Sequence, residues 1–299
     1  MTVSVVIPVY GAAPYLQRCV AALRAQTLPP SQIIVFHSGP EDPTGELGRA
    51  FPDISVYHSE DRHFAGAARN AGAVHAAGDM AVFIDSDVMV VPGFIEAMQA
   101  AATDHPGAVL IGSLGCYPVG GLWAQVAWFI ESGSVFPNRP AHQPKSAPAP
   151  CFAMPRSVFE AAGGFRTDVY AAEDGDFFVR LRAAGHALQF VPAARGDHVF
   201  AGGMGRTLKR LGELGQAAAF LRRTHDLPGS AAVRQPLLAF LLPFARMAQM
   251  LKRLMTEGGP VGQFLLLSPA ILLGLMAWAW GFYREARTPT YPSATARDG

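Results

Sequence analysis

A regular alternation through its first two hundred residues, in which short β-branched runs give way to amphipathic stretches, most limits the folds open to this chain. VSVVIPVY reads as a buried strand, and the stretch APYLQRCVAALRAQT then sets Leu16, Cys19, Val20 and Leu23 at helical spacing. QIIVFHSG and DISVYHS are two further strands, AGAARNAGAVHAAG is a helix closed by Gly78, and MAVFIDSD is another strand. Such alternation predicts an α/β fold with a parallel sheet covered on both faces. Beyond it come a helix opened by Pro92, a strand in AVLIGSLGCYP, and a five-proline segment at 137–150 that reads as an irregular loop. CFAMPRSVFEAAGGF resumes order, AEDGDFFVRLRAAGH is a helix opened by acids, and ALQFVPAARGDHV is a late strand ending near His198.

The fourth strand ends in Asp85-Ser86-Asp87, an acidic pair in a chain only 16% charged. Open α/β sheets bind ligands outside the carboxyl ends of their strands. Two carboxylates one residue apart can reach one hard cation from one side and leave its other positions to phosphate oxygens and water. A solvated turn or helix cap is the alternative, and context has to decide.

Composition excludes several classes. The net charge of +1 without a basic face argues against a nucleic-acid partner. Cys19, Cys116 and Cys151 are an odd, widely spaced set, unlike a disulfide framework or a zinc site, and fit a reducing cytoplasm. The opening MTVSVVIPVYG lacks the basic region of a signal peptide, so the first strand is expected at once.

Residues 231–299 differ from the rest, with seven Lys/Arg against three Asp/Glu, where residues 1–230 hold seventeen against twenty. The expected division is a catalytic domain over 1–230 and a membrane-associated helical region over 231–299. In QPLLAFLLPFARMAQMLKRLMT a narrow stripe of Arg246, Gln249, Arg253 and Thr256 suits a helix lying in a membrane interface. The uncharged run from Phe264 to Tyr283 is long enough, at roughly 30 Å, to cross a hydrocarbon core. Trp278, Trp280 and Tyr283 sit where an aromatic belt would lie. A helix buried against the catalytic body is the alternative. Basic residues on both sides of the run give no orientation for a single span.

Five segments in order, VSVVIPVYG, FAGAARNAG, DSD, GGF at 163–165 and AEDGDFFVRLRAAGH, resemble the motifs of family 2 glycosyltransferases with the GT-A fold. The resemblance covers residues 1 to about 200. It implies a nucleotide-sugar donor, Mg²⁺ or Mn²⁺, and direct displacement with inversion at the anomeric carbon. It assigns Asp85 and Asp87 to the metal, Asp87 the more directly, and Asp174 to the catalytic base. A positioned carboxylate suits that base, because an acceptor hydroxyl must lose a proton as it attacks. The alternative is that Glu173, Asp174 and Asp176 only favour the helix dipole.

By the same resemblance His198 completes the metal shell, a better ligand for Mn²⁺ than for Mg²⁺, although lone histidines are also structural. Arg69 faces the donor phosphates, or is a helix-surface arginine, and Pro8, Val9 and Tyr10 lie under the nucleotide base. His37-Ser38 stands where the family usually carries two aspartates, which leaves Ser38 to bond a base edge and the base itself unassigned. A Gln-x-x-Arg-Trp pattern is missing, so transfer of a single sugar is expected.

The acceptor implied is a saccharide or polyprenyl-linked molecule in surface polysaccharide or glycolipid assembly, chosen by the segment from Gly120 to Pro150. The location implied is the cell inner membrane with the catalytic domain cytoplasmic. Rivals are a nucleotidyltransferase, which would need a glycine-rich basic loop where this chain has IPVYGAAPYLQ, and a membrane-bound adaptor of the same fold without catalysis.

Overall fold

The structure is a computed structural model that describes residues 1–117, 121–200 and 202–291. Its first half runs β1 (Val3–Tyr10), α1 (Leu16–Arg24), β2 (Gln32–Ser38), α2 (Thr44–Ala50), β3 (Ser55–Ser59), α3 (Ala65–Ala73), β4 (Met80–Ile84), β5 (Val88–Val90), α4 (Phe94–Asp104) and β6 (Val109–Cys116). The second half runs α5 (Leu122–Ser132), β7 (Cys151–Pro155), α6 (Arg156–Ala161), α7 (Glu173–Ala183), β8 (Leu188–His198), α8 (Met204–Thr224), α9 (Ala231–Arg234), α10 (Leu242–Glu257) and α11 (Val261–Arg287). A 3-10 turn at Pro236–Leu241 joins α9 to α10.

One sheet holds all eight strands in the order β3-β2-β1-β4-β7-β6-β8-β5. The expected parallel pairing holds for β1 with β2 and β4 and for β2 with β3. Beyond β4 the sheet is mixed: β7 runs antiparallel to both β4 and β6, β6 runs parallel to β8, and β5 runs antiparallel to β8. The reason is local, since β4 and β5 are joined by only Asp85-Ser86-Asp87 and no crossover helix fits there. Four Cα steps reach at most about 14 Å. Four strand spacings in a flat sheet would need about 19 Å. The sheet therefore curls at this end, and the acidic pair bridges the mouth of the curl.

Two main cores result. The sheet core contains every residue of the predicted α1 face, Leu16, Cys19, Val20 and Leu23, together with Val5, Ile34, Val82 and Phe152. A second, helical core joins Val126, Phe129 and Ile130 of α5 and Leu211 of α8 to Ile271, Leu275, Trp278 and Phe282 of α11. It draws on both sides of residue 230. Within it, a methyl on Gly281 would overlap the Gly212 carbonyl, and one on Gly215 would overlap that of Trp278. Glycine lets the α8 and α11 backbones touch there.

Among the described residues α11 is the one helix long and apolar enough to cross a membrane, with a mean hydropathy of 1.8. It packs lengthwise on α8, whose other positions carry Arg206, Lys209, Arg210, Arg222 and Arg223. Packing on α8 and on α5, α10 and the 3-10 turn together buries 44% of its most apolar window, so much of its surface faces protein. The segment expected to choose the acceptor begins at Gly120, outside the described residues. Within it α5 is helical and 137–150 is irregular, apart from its contacts to β8 and α10.

Candidate active site

Arg69 organises the sheet edge. It is 3% exposed, which removes the surface reading, and it donates from one nitrogen to Asp85 at 2.6 Å and from another to Glu173 at 3.3 Å. Its guanidinium also lies 5.4 Å from the Phe165 ring centroid. The neighbouring Asn70 accepts from the Phe165 N–H at 2.9 Å and donates to its carbonyl at 2.8 Å. The motifs AARNAG and GGF are thus one clamp, with Arg69 binding the acids and Asn70 holding the turn that places them. Arg69, expected to face donor phosphates, is already engaged by two carboxylates.

Burial pushes the Asp85 carboxyl up, with Arg69 opposing and Asp87 adding to the rise. Asp85, expected to share a metal with Asp87, lines the same cavity and accepts from Arg69 through one carboxylate oxygen. Asp87 lies 3.3 Å from His198 Nε2. Burial favours the uncharged form of both groups, but their mutual hydrogen bond and charge outweigh it. They hold the carboxyl below its ordinary range and the imidazole above. Among the described residues no three acidic, His or Cys side chains form a ready cation cage. With the proton between them displaced, the pair would offer carboxylate oxygen and neutral imidazole nitrogen, a donor set that fits Mn²⁺ with shell positions left for phosphate and water. The second imidazole nitrogen of His198 is buried without a hydrogen-bond partner.

Three acids open α7, and the structure separates them. Glu173 pairs with Arg69. Asp176 is 2% exposed and is held by Arg180 at 2.8 Å and by His225 at 2.9 Å. Asp174 lines a cavity and accepts only the adjacent Gly175 N–H, at 2.6 Å, among the described contacts. Burial first and the Glu173 charge second push its carboxyl up to about 7. A carboxylate poised there can take a proton at neutral pH. Ala171, three residues before it, adopts φ 55°, a backbone strain that a non-glycine residue holds only where its surroundings enforce it.

At the C-terminal end of β1, on the same sheet edge as Asp85 because β1 and β4 run parallel, Pro8 and Val9 lie in the strand and Tyr10 is 52% exposed at its tip. Arg62 stacks on Tyr10 at 4.7 Å and on Phe64 at 4.8 Å, a platform for a flat ring that the sequence did not reveal. Ser38 does not serve as expected. It is fully buried, and its hydroxyl is directed at the Val9 and His63 carbonyls at 3.3 and 3.4 Å. His37 beside it bonds the Gly11 carbonyl and His58.

The cavity holds about 970 Å³ and has two walls. Asp85, Asp87, Asp174 and His198 line one; Lys209, Arg210, Arg246, Arg253 and Trp278 belong to the other. Arg210 pairs with Glu131 at 2.9 Å, which raises its pKa. Arg246 lies 4.6 Å from the Trp278 ring. Sequence reasoning missed this wall because it treated the stripe Arg246, Gln249 and Arg253 as facing a membrane interface, whereas all three line the cavity.

A curled α/β sheet with an acidic pair at a strand end and a carboxylate helix beside it defines a GT-A-type transferase architecture. The family model for glycosyl transferase family 2 matches residues 4–163, more than half of the chain, and the chain belongs to that family. It is 31% identical to the uncharacterized glycosyltransferase YwdF of Bacillus subtilis, over 67% of this chain and 75% of that one. The pre-mycofactocin glycosyltransferase of Mycobacterium tuberculosis is 29% identical over 91% of this chain and 56% of its own. The chain spans only 16%, 38% and 32% of three other curated glycosyltransferase relatives. In fold it is similar to the mannosyltransferase PcManGT from Pyrobaculum calidifontis in complex with GDP-Man and Mn²⁺. That likeness has a TM-score of 0.60 at 20% identity, over 95% of this chain and 85% of that one.

Proposed function

We propose that the protein transfers a single sugar, with inversion, from a nucleotide-diphosphate donor to a hydroxyl acceptor. The observation that carries this reading is the isolation of Asp174. It is the one of three adjacent acids at the start of α7 not held in an ion pair, it faces the cavity, and its carboxyl is pushed up to about 7. The acceptor oxygen attacks the anomeric carbon while its proton passes to Asp174. The bond from that carbon to the diphosphate breaks, and the electron pair leaves with the nucleoside diphosphate. Asp87 and His198 would hold Mn²⁺ or Mg²⁺, which supplies charge neutralisation for the departing diphosphate. Arg69 keeps Asp85 and Glu173 fixed, and the Tyr10–Arg62 platform suits a nucleobase.

The reading is supported by solved relatives in fold, one described with GDP-Man and Mn²⁺ and another, TarS 1–349 of S. aureus, with UDP-GlcNAc. The test is donor cleavage. Slow, Mn²⁺-dependent release of nucleoside diphosphate from one of a panel of nucleotide-sugars is expected. Pyrophosphate formation would favour a nucleotidyltransferase, and inertness towards every donor would favour a non-catalytic adaptor.

Residues 231–299 act as the membrane-docking part of this enzyme. At 100° per residue, Phe244 and Met255 share one face of α10 opposite Arg246 and Arg253. Both are exposed, at 57% and 68%, and α11 adds Leu266 at 80% and Trp280 at 54%. This arrangement favours helices lying on the cytoplasmic face of the inner membrane over a free-standing span, and the three unpaired thiols fit that compartment. Leu266→Glu combined with Phe244→Glu should release the protein from anionic vesicles in a flotation assay. Undiminished binding would remove this surface from the account.

A further inference from the structure

Arg246 is a cation on the cavity wall that feels the charge of Glu131 only at a distance. It lies against the Trp278 indole, and its hydrogen bond is a 3.4 Å contact to the Ile130 carbonyl. Among the described residues it has no ion pair, and most of its five N–H donors remain for a ligand. Lys209 and Arg253 on the same cavity wall also lack ion pairs among the described residues. The nearby carboxylates are otherwise engaged: Glu131 holds Arg210, Glu257 holds Arg139, and Glu213 is within reach of the Tyr170 hydroxyl. Burial, and then the like charges of Arg222 and Arg253, push Arg246 down to about 10 against the opposing charge of Glu131, while its side chain stays half-buried on the cavity wall.

Apolar groups surround this charge. Phe129, Ile130, Leu214, Met250 and Trp278 line the same cavity. The outer face of α10, bearing Phe244 and Met255, is apolar and exposed, so one helix presents cations to the cavity and hydrocarbon to the outside.

We infer that the cavity wall formed by Lys209, Arg246 and Arg253 is a phosphate subsite for the acceptor, which is therefore a phosphate-bearing amphiphile whose hydroxyl reaches Asp174. The inference rests on the transferase reading above and adds the acceptor's chemical class. A guanidinium forks onto two phosphate oxygens, and the indole beneath it keeps that fork in one plane. The apolar lining takes the first carbons of the chain attached to the phosphate. The donor diphosphate is placed elsewhere, at the Asp87–His198 edge.

Calorimetric titration of the full chain with octyl phosphate below its micellar concentration, beside octanol and inorganic phosphate, tests this. Octyl phosphate should bind more tightly than either control. Arg246→Gln should weaken it about tenfold, the scale of one charge-assisted hydrogen bond. Lys209→Gln with Arg253→Gln, which alters two exposed side chains and does not threaten folding, should weaken it further. Nucleoside diphosphate affinity in Mn²⁺ should be unchanged in all variants. Equal affinity for octanol would remove the phosphate, and equal affinity for inorganic phosphate would remove the amphiphile. A parallel loss of nucleotide binding would assign the cations to the donor; any of the three overturns the inference. Loss of donor cleavage in the wild type, with octyl phosphate still bound, would instead count against the transferase reading alone.

Discussion

The two walls of the cavity treat charge in opposite ways. On the sheet side nearly every ionised group has a partner, with Asp85 and Glu173 on Arg69, Asp87 on His198, and Asp176 on Arg180 and His225. On the helical side Arg210 pairs with Glu131, but Lys209, Arg246 and Arg253 have no ion pair among the described residues. Partnered charges are preorganised and hold geometry without reorganising during reaction. Unpartnered charges beside apolar surface mark a wall completed by its ligand. Asp174 breaks the sheet-side rule, and the chemistry is assigned to it for that reason.

Asp174→Asn makes the hardest test of that exception. Transfer should fall by about 10²–10⁴, the range of a lost general base, while nucleotide affinity stays as it was. A variant that transfers at the wild-type rate removes Asp174 from the mechanism. Glu173→Gln would not mimic it, because Glu173 is engaged by Arg69.

Removing the hub of the sheet wall should cost stability before it costs chemistry. Arg69→Met leaves Asp85 and Glu173 facing each other in a buried setting, and breaking such a pair costs about 3–5 kcal/mol. The urea midpoint should drop accordingly. An unchanged midpoint would show that the two carboxylates simply take up protons, and that the wall is less rigid than its contacts imply.

Asp87→Ala sharpens the comparison within the wall itself. Mn²⁺-dependent affinity for a nucleoside diphosphate should fall by about 10–100-fold or more. Asp85→Asn should fall less, because Arg69 already occupies that carboxylate. Equal losses would mean that Arg69 yields Asp85 to the cation when the donor binds.

The same contrast explains what the sequence disclosed. The strands were legible because β1, β4 and most of β2 are buried on both faces and therefore read as continuous apolar runs. The acids were legible through their motifs. The curl was not, because the pairing of β5 with β8 joins residues more than one hundred positions apart. Helix α5 is apolar on nearly every side, so its period is faint, and α8 meets α11 through glycines, which carry no hydrophobic signal. Arg246 was visible as part of a polar stripe, but a polar stripe facing a cavity and one facing water are identical in sequence.

The smallest expected effect is also the one most specific to Asp174. Its carboxyl is raised from an ordinary 3.8 to about 7, so between those values the folded protein keeps a proton that the unfolded chain has released. Stability from this group is full below the lower value and is lost as pH rises through the upper one. Transfer should follow the opposite course, rising with pH to about 7 and then levelling as the base ionises. Asp174→Asn cannot ionise, so its melting temperature should gain on the wild type by a few degrees between about pH 5 and pH 8. Parallel melting curves across that range would mean that the carboxyl titrates as an ordinary solvated acid. The one unpaired acid on the sheet wall would then be as well served by water as its neighbours are by Arg69 and Arg180.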